Sequence, residues 1–95
     1  MIYILPAASD YIETEFGGTC NGKSGNFRLV TVEECKKATT SLQKIFGNEL
    51  NVEDLPRGCY TLGTGPGTEV YWNNHDTGKI RRDCRAICRK PRNNL

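Results

Sequence analysis

Between Thr31 and Gly47 the apolar residues fall at helical spacing. Val32, Cys35, Ala38, Leu42, Ile45 and Phe46 share one face, while Lys36, Lys37, Gln43 and Lys44 are left to water. Thr31 opens the segment with a capping hydroxyl, and Glu34 stands three residues later, where hydroxyl and carboxylate can each satisfy a free backbone amide of the first turn. Gly47 supplies a residue that takes a left-handed conformation at little cost. The pattern therefore predicts one amphipathic helix from Thr31 to Gly47, with Cys35 pointing into the core.

Elsewhere the pattern is that of short strands. Ile2–Leu5 is a brief apolar run, Tyr11–Phe16 alternates partly between apolar and acidic residues, and Phe27–Val30 follows a turn-rich stretch from Gly17 to Gly25. Residues 48–58 read as a loop pinned by Val52 and Leu55, with Pro56 and Gly58 as breakers. Cys59–Leu62 and Glu69–Trp72 flank a glycine-rich tip, Gly63–Gly67, as a hairpin, and Asn73–Gly78 is a further turn. Arg85–Arg89 alternates basic and apolar residues, which predicts a last strand with its charges outward. Strands, helix, strands in that order imply an α+β fold: an antiparallel sheet packed by a single helix, in one domain spanning residues 1–95.

Composition explains how so polar a chain can hold together. Of its 95 residues only 37% are hydrophobic, and ten are glycine, so burial alone leaves a thin margin. The five cysteines, Cys20, Cys35, Cys59, Cys84 and Cys88, are spread along the chain rather than gathered in paired CxxC motifs. That distribution favours a disulfide framework, worth about 3 kcal/mol per bridge, and an oxidising compartment, extracellular or an organelle lumen. Two bridges among five cysteines allow fifteen arrangements, and the residues alone do not choose among them. No run approaches the ~20 apolar residues of a transmembrane helix. Ile2–Leu5 is too short, and lacks the basic lead, for a secretory leader.

Charge is small in total and uneven in place. Residues 1–78 carry six basic and ten acidic side chains, whereas residues 79–92 carry seven basic ones, Arg81, Arg82 and Arg85 among them, against Asp83. An acidic partner surface would suit that segment. Nucleic acid would not, because residues 73–95 contain no aromatic residue to interleave with the cations.

Three chemical motifs fail on context. Gly17–Ser24 matches GxxxxGK[ST] in form, but no buried strand precedes it and no helix follows. His75, the one histidine, has no sequence link to Cys84, although the arginines around that cysteine could activate a thiolate. Zinc held by Cys59, Cys84, Cys88 and His75 has only a Cys-x3-Cys spacing in its favour. The expectation is no catalytic residue, no metal and no cofactor. Tyr71 and Trp72 must face opposite sides of a sheet, so one is exposed; Trp72 beside Asn73 is the expected contact for a sugar or a protein.

Thr31-Val32-Glu33-Glu34-Cys35 resembles the helix start of PAN/apple-type domains. Leu55-Pro56-Arg57-Gly58-Cys59-Tyr60, Val70-Tyr71-Trp72-Asn73, Gly78 and Ile87-Cys88-Arg89 are similar to small cysteine-containing modules of algal and other protist proteins. The likeness spans roughly residues 20–90, and the helix carries one cysteine where apple domains carry two or more. It implies a curved antiparallel sheet cradling a helix, bridges Cys35–Cys59 and Cys20–Cys88, and Cys84 left over. It also implies a non-catalytic module that recognises a protein or glycan; the aromatic and charge patterns above make Trp72, Asn73, Arg81, Arg82 and Arg85 the expected contacts, with an anionic partner if the basic segment takes part. The alternative is a structural accessory subunit of a larger assembly.

Overall fold

The computed structural model describes residues 9–20, 26–63 and 69–91. The Ile2–Leu5 run, residues 21–24 of the phosphate-loop match, residues 64–67 of the hairpin tip and Arg92 lie outside them. The α+β expectation holds: one helix packs on a mixed sheet of six strands, with two disulfides. The strands are β1 (Tyr11–Glu13), β2 (Phe27–Arg28), β3 (Ile45–Leu50), β4 (Gly58–Leu62), β5 (Glu69–Asn73) and β6 (Cys84–Arg89); helix α1 spans Val32–Ser41.

The helix begins where its cap predicts. The Thr31 hydroxyl accepts from the Glu34 amide at 3.1 Å, while the Glu34 carboxylate pairs with Arg89 at 3.5 Å. Its end differs from the sequence pattern. The chain turns at Gln43, which takes φ 58°, and Ile45 and Phe46 enter β3 instead of a fourth helical turn. A β-branched and an aromatic residue suit a strand as well as a helix, so the short apolar pair carried no decisive period. Residues 48–50, expected in a loop, belong to the same strand.

That strand changes the sheet. The order is β1-β6-β4-β5-β3, with β2 also on β6; every pairing is antiparallel except β3–β5, which is parallel. The crossover needs only the β4–β5 hairpin, so β3 and β5 run alike although the other pairings match the expected antiparallel layout. A bulge sits between Phe46 and Asn48. A Cβ on Gly47 would come within 2.8 Å of both Glu69 Oε2 and the Tyr71 ring, so glycine here permits β5 side chains to lie against the edge strand.

Alternation along the strands sorts the residues onto two faces. Cys59, Val70, Trp72 and Ile87 face α1 and form the core with Leu29, Cys35 and Ala38. Cys35–Cys59 fastens helix to sheet there, with Cα atoms 5.5 Å apart. Tyr60, Tyr71, Cys84, Ala86 and Cys88 face the other way. On that side Cys20–Cys88 ties the 18–20 segment to β6, and Cys84 is a buried free thiol. These are the pairs, and the spare, that the apple-type likeness implies.

Candidate functional site

Among the described residues the second face carries no helix; loops roof it, and their placement has specific causes. Asn73, at the end of β5, is fully buried. Its Nδ2 donates to the Val52 and Leu55 carbonyls at 2.7 and 2.9 Å, and its Oδ1 accepts from the Val52 amide at 2.9 Å. One side chain thus does the pinning assigned in sequence to Val52 and Leu55. The loop after β5 then docks on this one: the Lys79 amide donates to the Leu55 carbonyl at 2.8 Å. Gly78 makes the approach possible, since it has φ +62° and a Cβ there would fall 2.5 Å from the Arg57 nitrogen. His75 shapes the same turn, with Nδ1 accepting from the Thr77 and Gly78 amides at 3.2 and 3.0 Å.

Between these loops and the sheet lies a cleft of about 270 Å³. Four cations line it: Arg28 from β2, Arg57 from the first loop, and Lys79 and Arg81 from the second. No carboxylate is among its lining residues. Pro56, Ile80 and Ala86 supply apolar wall, and Cys84 lies at the base. A smaller cavity of about 170 Å³ adjoins it, shares Arg28 and Arg57, and includes Trp72, Asn74 and Asp76.

The cations are not equivalent. Arg81 already spends its fork on Asp83, at 2.9 and 2.8 Å. That hydrogen-bonded pairing raises the Arg81 pKa and lowers that of Asp83. Among the described residues no ion pair engages Arg28, Arg57 or Lys79. Burial, and then the negative charge of Asp83, push the Cys84 thiol up to about 11, so it stays protonated near neutral pH and is a poor nucleophile.

The expected contacts are only partly gathered here. Trp72 is 8% exposed and packs in the core, so Tyr71 is the half-exposed partner of the pair. Asn73 is fully buried, spends its amide on the loop and lines the smaller cavity, not the larger cleft. Arg81 lines the cleft, but Arg82 does not. Arg85 faces away, donating to the Thr14 carbonyl at 2.7 Å and lying 5.3 Å over Phe16. The basic segment is not one patch, because Arg81 and Arg82 lie in the loop before β6 while Arg85 projects to the side of the strand opposite Cys84 and Ala86. Arg28 and Arg57 were missed; each stands alone in sequence, and only the β2–β6 pairing and the Asn73 clamp bring them together. The zinc set dissolves, since Cys59 and Cys88 are in disulfides. The next described element after the phosphate-loop match is strand β2. Comparison with protein-family models, with curated proteins and with solved structures finds no match to this chain.

Proposed function

We propose that this chain is a non-catalytic binding module of an oxidising compartment, extracellular or lumenal, that recognises an anionic group on a protein or glycan. The observation that carries the reading is the cleft itself: Arg28, Arg57 and Lys79, from three separate segments, converge with no ion pair to any of them among the described residues, beside an Arg81 held by Asp83. Like charges held together cost free energy unless a ligand offsets it, so such a cluster is a natural anion site. Two disulfides accord with the compartment, and no described helix is long and apolar enough to cross a membrane. The likeness to apple-type modules supports the same class. A protonated Cys84 and a His75 engaged by two backbone amides leave the cleft without a ready nucleophile–base pair.

The test is surface-captured domain against panels of acidic peptides and of sulfated or uronate-bearing oligosaccharides, at low and high salt. At least one anionic class should bind, weaken as salt rises, and lose about tenfold or more with Arg57→Glu plus Lys79→Glu at an unchanged melting temperature. Binding to none of them, or binding indifferent to the charge reversal, would remove the reading.

A second reading, an accessory subunit of a larger assembly, draws on β3. It is an edge strand among the described residues, and its Ile45 is 60% exposed.

A further inference from the structure

Resting on the anion-binding reading, we infer that the occupant of the cleft is a peptide segment in which acidic residues alternate with aliphatic ones. Size sets the first limit. A cavity of about 270 Å³ lies just below the ~300–1,000 Å³ of pockets that enclose a whole small molecule. It suits one or two side chains of a longer partner.

Chemistry sets the second. Arg28 and Arg57 offer planar forks whose geometry matches a carboxylate bidentately, and Lys79 adds a point charge beside them. Between Lys79 and Arg81 stands Ile80, 62% exposed on the rim of the same cleft, with Pro56 and Ala86 continuing the apolar wall. An aliphatic surface set beside Arg28, Arg57 and Lys79, which make no ion pair among the described residues, is matched by a ligand that carries carboxylates and hydrocarbon side by side. A sulfated glycan has anions in plenty, but no branched aliphatic group to set against Ile80. Nor does the cleft give sugar rings a stacking platform: Trp72 is buried, lines only the smaller cavity, and Tyr60 on the same face as the cleft is 1% exposed.

Isothermal titration of the oxidised domain separates the cases. The probes are a blocked hexapeptide alternating glutamate with leucine, one of equal charge alternating glutamate with serine, and a heparin-type sulfated hexasaccharide. The glutamate–leucine peptide should bind at least about tenfold more tightly than the glutamate–serine one. Ile80→Ser, at an exposed position, should erase that difference and leave the serine peptide unaffected. Arg28→Gln with Arg57→Gln should weaken both peptides, whereas Arg82→Gln, outside the cleft, should weaken neither. Equal affinity for the two peptides, or tighter binding of the sulfated hexasaccharide, overturns the inference while the anion site stands. Silence from all three probes overturns both.

Discussion

The two faces of this sheet are built on opposite plans. Under α1 the residues interlock: Cys35 and Ala38 from the helix meet Cys59, Val70 and Ile87 from the strands, all nearly or fully buried. On the far side the sheet is covered by loops, held by one asparagine, one disulfide and one left-handed glycine, and the gap beneath them is lined with cations. The first face is stabilised by apolar area removed from water. The second depends on a few directional bonds and cross-links, so it tolerates a cavity and like charges that a packed core would expel. A small domain can keep a binding cleft when one side is closed tightly enough to hold the sheet for the other.

The largest expected break between the faces comes from the disulfides. In the loop-closure picture, removing Cys20–Cys88, with sequence separation 68, costs about 4 kcal/mol, and removing Cys35–Cys59, separation 24, about 3.5 kcal/mol. Denaturant titration of the paired serine variants should show comparable losses. The first variant should lose anion binding under conditions where it is still folded, because Cys20 forms part of the cleft wall. The second should bind normally until it unfolds.

Next in size is Asn73→Ala. It strips the Val52 amide and the Val52 and Leu55 carbonyls of their buried partner, with an expected loss of about 3 kcal/mol. Since those bonds seat Arg57, affinity in the cleft should fall further than stability predicts. Hydrogen exchange should rise at residues 52–57 and not in α1.

The smallest sharpens the contrast through pH. Burial, followed by the nearby Cys84, pushes Tyr60 up to about 12 from 10.0, and burial followed by Asp83 pushes Cys84 up to about 11 from 9.0; both lie on the cleft side. The folded chain therefore keeps protons that the unfolded chain releases. The stabilisation is complete below about pH 9 and is lost as pH rises through 11 for Cys84 and 12 for Tyr60. Cys84→Ala should flatten the earlier part of that decline, as measured by urea midpoints from pH 8 upward on an order-of-magnitude scale.

Legibility in the sequence follows the same division. Elements fixed by near neighbours could be read: the Thr31 cap, the buried Cys35–Ala38 face, the β4–β5 hairpin and the alternating β6. What depended on distant partners could not. The helix stops at Ser41 and the chain turns at Gln43 into β3, which pairs with β5, and nothing between residues 43 and 50 reports on residues 69–73. Trp72 looked like a free aromatic because burial is a property of the finished core. Arg28 and Arg57 are 29 positions apart in the chain, so no local charge run announces the cleft they share with Lys79 and Arg81.

β6 lies inside the sheet, bordered by β1, β2 and β4, yet it is the last of the described strands in chain order. During synthesis Cys20, Cys35 and Cys59 are thus all made before Cys88. The helix staple can close early, but Cys20 must wait through nearly seventy residues of translation for its partner. Until it is paired, its thiolate can attack the Cys35–Cys59 bridge by thiol–disulfide exchange, so the order in which the cysteines appear leaves a mispairing route open that the final Cys20–Cys88 bond closes.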